Sequence, residues 1–357
     1  MLNVKLPGSC MNPRAKQVRQ KIDADLRLTF RTLLLDWFDL AQRDLPWRQN
    51  PTPYRVAVSE FMLQQTQVAT VIPYFQRWLT RFPSWQALAQ ADETTVLKQW
   101  EGLGYYRRAK LLHRLAQTVI TLPAQELPNN LETLKTLPGI GPYTAGAITT
   151  IAFNQPAPAV DGNVERVLAR LFNYRENISQ PSAKKRIFQW ASALVTAERP
   201  GDYTQALMEL GALICTPSSP SCLLCPVKTL CQAESPSRLP IKDKIKITPQ
   251  SETLAWIENS GNVILQKPGQ GPRWIDFWQL PPFDPNVMTA LEQPPPITHR
   301  YSITRYRVTA TLQSAQVHAS LPSHLASVSK ADILHLTLPA PHRHLLTTIT
   351  QKPQKTD

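Results

Sequence analysis

The chain has 357 residues, 42% of them hydrophobic, which exceeds one typical domain and suffices to bury a core in each of two. Its 39 lysines and arginines outnumber 26 aspartates and glutamates, and the net charge of +13 selects a polyanion, nucleic acid above all, over a neutral small molecule. No apolar run approaches the ~18 residues of a membrane span and the first residues lack the apolar core of a signal peptide, so a cytoplasmic protein with no membrane partner is expected.

Residues 1–25 carry scattered lysines and arginines without apolar periodicity and read as a basic arm, in which Cys10 stands apart. Helical periodicity then recurs at 26–40, 56–72, 92–101, 109–119, 187–197 and 203–214. Proline and glycine punctuate the short connections, so 26–232 forms one compact helical domain.

Within it, LPGIGPYTAGA opens the stretch on which the rest is organised. Gly139 and Gly141 bracket Ile140 and suit a tight turn with φ > 0 at both positions, and Pro142 suits the first turn of a following helix. Such a turn offers N–H donors and a partial positive charge to a phosphate, although a plain turn between two helices has the same residues. Asp161 precedes Gly162 and Asn163 at the entrance of an amphipathic helix at 164–171, where a carboxylate either caps the helix or faces a substrate.

Cys215, Cys222, Cys225 and Cys231 have the spacing C-x6-C-x2-C-x5-C, which in a reducing compartment indicates a metal centre, iron–sulfur or zinc, before disulfides. Lys228 adds positive charge to that loop. Residues 233–250, with Pro236, Pro240 and Pro249, have the composition of a linker. Beyond it, alternating runs TLAWIE, NVILQK, RYRVTATL and DILHLTL around an SGN turn predict a small sheet with one or two short helices, an α+β domain at 251–350 before a tail at 351–357. Six of the seven histidines lie there, leaving His113 alone in the helical domain, so acid–base chemistry near the central stretch falls to carboxylates.

LPGIGPYTAGA, then Asp161, then this cysteine spacing resembles the helix-hairpin-helix base-excision glycosylases that carry a [4Fe-4S] cluster, over 26–232. VSEFMLQQTQV at 58–68, LPWR at 45–48 and EGLGYYRRA at 101–109 look like adenine DNA glycosylases of the MutY type. The resemblance implies a mainly α N-terminal helix-hairpin-helix glycosylase domain with an iron–sulfur loop at 215–231, plus a smaller α+β Nudix-like C-terminal domain. It implies a monomer acting on double-stranded DNA that contains A:8-oxoguanine or A:G mispairs. By motif, Glu60 is the general acid and Asp161 the oxocarbenium stabiliser, with Tyr143 and Asn163 as hydrogen-bonding partners. Arg43, Trp47 and Arg48 match the base pocket, where the guanidiniums supply donors, and Gln65, Leu103 and Tyr105 match inserting positions beside the DNA-binding Gly139 and Gly141. The four cysteines match the cluster ligands.

RWIDFWQLP at 273–281 is similar to the W-x-[FL]-P signature of the Nudix-like recognition domain, but the acidic box that would hold magnesium is missing, which implies a binding domain. Relatives present an aromatic residue, a serine and a histidine consecutively on a loop that probes 8-oxoguanine. Here Tyr301, Ser302 and Ile303 occupy those positions, so lesion recognition rests on Tyr301 and Ser302, with Arg305 nearby as support.

The chemistry agrees with that division of roles. Breaking an N-glycosidic bond needs protonation of the leaving base and an anion beneath the sugar as cationic character develops, and two carboxylates suffice. Phe61, Met62 and Leu63 crowd Glu60 with apolar neighbours that raise a carboxyl pKa. Two rivals remain: an endonuclease III type glycosylase/lyase, which needs a Schiff-base lysine where Tyr143 stands, and a non-catalytic DNA-binding iron–sulfur protein.

Overall fold

The computed structural model describes residues 22–270, 273–318 and 320–351, so Cys10 with most of the basic arm, and residues 352–357 of the tail, lie outside the described residues. The first part is helical: α1 (Ala24–Ala41), α2 (Pro53–Leu63), α3 (Val68–Arg81), α4 (Trp85–Ala89), α5 (Glu93–Trp100), α6 (Arg107–Val119), α7 (Leu131–Leu134), α8 (Pro142–Ile151), α9 (Gly162–Leu171), α10 (Pro181–Leu194) and α11 (Pro200–Leu213). Local chemistry sets many of the starts. Side chains of Asp23, Thr52, Ser84, Asp92, Asn130 and Asp161 each accept a first-turn amide, and proline begins α2, α8, α10 and α11.

The periodic run at 56–72 is two helices, because the polar QQTQ segment has nothing to bury. The chain turns there, with Thr66 N–H donating to the Leu63 carbonyl and Gln65 at φ 57°. Helices α4 and α7, five and four residues long, are too short for a periodicity to reveal.

Two apolar cores hold these helices. One, around Phe61, Phe75, Trp78 and Trp100, is built by α2 to α8, and the other, around Phe30, Leu34, Phe38 and Leu210, by α1 and α9 to α11. Segment 233–247 is less free than its composition suggests. Arg170 Nε donates to the Leu239 carbonyl at 2.9 Å, the Ile178 N–H donates to the Ile241 carbonyl, and Asn177 Nδ2 donates to Asp243.

The second part has strands β1 (Thr248–Trp256), β2 (Glu258–Asn259), β3 (Asn262–Gln266), β4 (Met288–Ala290), β5 (Ile297–Ile303), β6 (Tyr306–Val317) and β7 (Leu325–Ser329), then helix α12 (Ala340–Gln351). Strand β6 pairs parallel with β1 and antiparallel with β4 and β5, while β2, β3 and β7 form a second, antiparallel sheet. Leu345, Leu346 and Ile349 of α12 close the core against Leu254, Leu265 and Leu312.

Two expectations fail here. HRYSIT is not a loop: Ser302 pairs with Arg307 and Ile303 with Tyr306 in a tight β5–β6 hairpin whose turn places Thr304 at φ 50°. DILHLTL is not a strand: Ser329 and Asp332 bond each other through Oγ, Oδ2 and the Asp332 N–H, which favours the short 3-10 turn Asp332–Leu334 over a ladder. The two parts touch: Phe277 is buried in the α2 to α8 core, its ring centroid 4.4 Å from that of Tyr106.

Candidate active site

A cavity of about 720 Å³ opens between the two helical cores, lined by α2 and α8 from the first, α9 and α11 from the second, and residues 43–48. It gathers Glu60, Tyr143, Asp161, Asn163, Arg43, Trp47, Arg48 and Gln65.

Glu60 lies on α2 and is only 5% exposed, its neighbours Val58, Phe61 and Met62 being core residues. The Tyr143 hydroxyl donates to its Oε2 at 2.6 Å. Burial raises the Glu60 pKa to about 7; the Tyr143 hydrogen bond opposes the rise and the negative charge of Asp161 adds to it. Glu60 is therefore poised to hold and release a proton near neutral pH.

Asp161 caps its helix and lines the cavity as well. Its Oδ1 accepts the Val164 N–H at 2.7 Å as the cap of α9, and its Oδ2 accepts Asn163 Nδ2 at 2.8 Å, while the side chain still lines the cavity. Burial raises its pKa, and the Val164 N–H and Asn163 amide pull against that.

Sequence reasoning missed Glu209. This buried carboxylate on α11 accepts Arg43 Nε and Nη2, both at 2.7 Å, and Arg48 Nη2 at 3.0 Å, while Arg48 also donates to Gln205 and to the Arg43 carbonyl. Burial raises the Glu209 pKa, but the two guanidiniums outweigh it and leave the carboxyl below its usual value. Arg43 and Arg48 line the cavity together with Trp47, and the guanidinium groups named above are held by Glu209, so the wall presents an ionic network with Glu209 at its centre. The signal available was an acid in an apolar helical run, LMELG, the pattern that singled out Glu60 in SEFML.

Close packing brings α11 to this wall. A Cβ on Gly211 would stand 2.5 Å from Asn163 Cβ, so only glycine lets α9 and α11 meet there. Arg166 fixes the same junction, donating from Nη2 to Asn163 Oδ1 and the Gly211 carbonyl and from Nε to the Cys215 carbonyl.

The exposed edge has two loops with left-handed residues. Gln65 and Tyr105 (44% exposed) sit at φ 57° and 46°, strained for side-chain-bearing residues, whereas Leu103 is 6% exposed and belongs to the core rather than to an inserting surface. Arg108, also unforeseen and 7% exposed, joins the loops. It donates to the carbonyls of Phe61, Met62 and Gln64 and to Thr66 Oγ1 on one side, and to the carbonyls of Leu103 and Gly104 on the other. Of the two hairpin glycines, only Gly139 adopts φ > 0, at 75°, where a Cβ would meet Phe61 at 2.8 Å. Gly141 takes an extended conformation, φ −87°, because it is the N-cap of α8, and it faces open space there.

Tyr301 and Ser302 are not among the residues that line the cavity. The Tyr301 hydroxyl donates to Glu252 Oε1 at 2.5 Å and its ring lies 6.0 Å from that of Trp274, while Ser302 is exposed.

Cys215, Cys222, Cys225 and Cys231 lie on one loop that follows α11 and form no disulfide with one another. Burial pushes Cys225 up to about 11, and the other three cysteines add to the rise, which marks them as mutual neighbours. Among the described residues no three His, Cys, Asp or Glu side chains meet at the spacing of a metal-ion group. The donor set nonetheless fits a thiolate-held centre: Arg170, wholly buried, donates to Cys215 Sγ at 3.3 Å and to the carbonyls of Cys215, Thr216 and Pro217, placing a cation beside ligands that would be anionic.

Comparison with known proteins agrees with this architecture. The family model "HhH-GPD superfamily base excision DNA repair protein" matches residues 58–192. An adenine DNA glycosylase of Mus musculus is 46% identical over 213 residues, which cover 57% of this chain and 41% of that protein, so the chain spans about two fifths of the mouse relative's length. An adenine DNA glycosylase of Buchnera aphidicola subsp. Schizaphis graminum is 32% identical over 265 residues, covering 73% of this chain and 76% of that protein. Among solved structures, a thermostable thymine-DNA glycosylase superposes with a TM-score of 0.54 at 27% identity, covering 59% of this chain and 98% of that one. No helix among the described residues is long and apolar enough to cross a membrane. On this likeness, which extends over most of the Buchnera protein, the chain belongs to the adenine DNA glycosylase family of the HhH-GPD base-excision repair superfamily.

Proposed function

We propose that the protein hydrolyses the N-glycosidic bond of adenine mispaired with 8-oxoguanine, and with guanine, in double-stranded DNA. The observation that carries this is Glu60, a carboxyl with a pKa near 7 in the same cavity as Asp161. Glu60 donates its proton to the adenine ring as the C–N bond breaks with its electron pair going to the base, and Asp161 offsets the charge that grows on the sugar. A water molecule then bonds to the anomeric carbon and gives its proton back to Glu60. Asn163 and the Val164 N–H fix the Asp161 carboxylate, and Tyr143 fixes Glu60. Tyr143, which offers a phenol and no amine, lines the cavity beside Glu60, which supports hydrolysis without a Schiff base.

Gln65 and Tyr105 serve as the wedge that fills the space left by the flipped adenine. The exposed N-terminus of α8 behind Gly141 receives a phosphate. Cys215, Cys222, Cys225 and Cys231 hold a [4Fe-4S] cluster, which when bound supplies a rigid staple for the loop after α11. The domain from β1 to α12 is Nudix-like and reads the lesion through Ser302 and Tyr301.

The test is a duplex with adenine opposite 8-oxoguanine, assayed for free adenine and for strand cutting before and after alkali. Adenine release with cutting only after alkali is expected. A borohydride-trapped adduct would favour the lyase, and tight binding without base release would favour the non-catalytic alternative.

A further inference from the structure

The loop at 101–106, between α5 and α6, departs from ordinary backbone, with the strain carried by Tyr105 since glycines take φ > 0 freely. Gly102, Gly104 and Tyr105 have φ of 104°, 70° and 46°, three left-handed residues in four. Side chains around it hold it: Trp100 Nε1 donates to the Gly104 carbonyl at 3.0 Å and the Tyr74 hydroxyl to the Glu101 carbonyl at 2.7 Å. Arg108 grips it from the helical domain. The second domain grips both of its ends.

At the entry, Glu101 accepts Arg343 Nε at 2.6 Å on one oxygen and Arg343 Nη2 at 3.2 Å on the other, a bidentate pair reinforced by Lys98 Nζ at 2.9 Å. Arg343 belongs to α12 and is anchored in its own domain, donating to the carbonyls of Ile333 at 2.8 Å and Leu336 at 2.6 Å. Lys98 also crosses the boundary to the Leu336 carbonyl at 2.8 Å. The side chains of Glu101 and Arg343 are 12% and 23% exposed, so water screens this pair far less than a surface one. At the exit, the Tyr106 ring packs at a tilt of 56° on Phe277 of the second domain, and its hydroxyl accepts the Gly102 N–H at 3.5 Å. Between the two grips, Tyr105 remains exposed.

We propose that the second domain acts on base flipping itself, by clamping the 101–106 loop so that Tyr105 is presented in one orientation, and that Glu101 and Arg343 are positioning residues for that step. The proposal rests on the base-excision function set out above. A clamped loop has less freedom to lose on insertion, so the clamp accelerates flipping on any mispair. Overall affinity, dominated by phosphate contacts, changes little.

The test uses the full chain with Glu101→Gln, Arg343→Met, Arg343→Lys and the Glu101→Gln/Arg343→Met double variant, on duplexes with 2-aminopurine beside the target adenine. Flipping read by fluorescence, and single-turnover adenine release, should each slow about tenfold in Glu101→Gln and Arg343→Met, equally for A:8-oxoguanine and A:G, with Kd within about twofold and the double variant no worse than either single one. Arg343→Lys, which keeps the charge, should recover part of the loss; with Glu101→Gln it supplies the measurement if Arg343→Met does not fold. Unchanged flipping, strictly additive losses, or a loss confined to the 8-oxoguanine duplex would overturn the proposal. Because fluorescence reports flipping without excision, a wild-type chain that flips adenine but releases none would count against the proposed reaction and not against the clamp.

Discussion

The Tyr143 hydroxyl donates to Glu60 Oε2 across 2.6 Å, yet the Glu60 pKa stands near 7 because burial outweighs that bond. A donor that favours the anion and a site that disfavours it leave the carboxyl close to half protonated at neutral pH, the condition under which one group can give up a proton and recover it. Adenine release should accordingly fall as pH rises through about 7.

The same carboxyl costs stability above its ordinary pKa. Its folded pKa of about 7 lies above the ordinary value of 4.5, so the unfolded chain ionises first and stability declines between those two values, by a total of about 3 kcal/mol. Glu60→Gln removes this slope. The variant should bind mispaired DNA, release almost no adenine, and gain stability over the wild type at pH 8 but not at pH 4, as read by urea unfolding. A stability difference independent of pH would show that burial does not perturb Glu60.

Asp161→Asn separates the cap from the chemistry. Asparagine caps a helix as well as aspartate does, so the thermal midpoint should move by no more than a few degrees, while single-turnover release drops at least about 100-fold for want of an anion. Release within a few-fold of wild type would remove Asp161 from the reaction.

Much of this site was legible because its residues announce themselves locally. Glu60 sits amid VSEFML, Asp161 before a helix, and the cysteines in one short loop. What stayed hidden acts at long range or against the local pattern. Glu209 meets Arg43 across 166 positions of chain, and no periodicity relates α11 to the loop before α2. Arg108 reads as an ordinary charge in YYRRA, yet it folds inward because six oxygens, at the end of α2 and on the two loops, await a donor. Strand β5 was hidden for a different reason: ITHRYSI alternates between half-buried and exposed residues and buries none fully, so its pattern is too weak to read.

Arg108→Met should leave those carbonyls without partners, lowering stability by about 2–4 kcal/mol. Amide exchange should quicken first in segments 62–66 and 103–105. A uniform change in exchange across the helical domain would mean that Arg108 supports the core and not the two loops.

Ser302→Ala tests lesion reading more cleanly than removing the second domain, because removal would also strip Phe277 from the helical core. Processing of A:8-oxoguanine should fall relative to A:G by up to roughly ten-fold, the effect of one hydrogen bond of about 1 kcal/mol. Equal effects on both duplexes would place recognition elsewhere.

Cys222→Ser should abolish the visible absorption expected of the purified protein, since a thiolate-held iron cluster absorbs there and zinc does not. A colourless wild-type preparation with stoichiometric zinc would replace the iron assignment.

Gly211 carries a consequence for how inherited changes in such a chain are interpreted. It is not among the residues lining the cavity, yet a single added methyl group at this position would press on Asn163 and, through it, on Asp161. A Gly211→Ala carrier would have every reactive group intact and still show the phenotype of an active-site lesion. Variants here are therefore best ranked by the contacts they transmit rather than by their distance from the substrate.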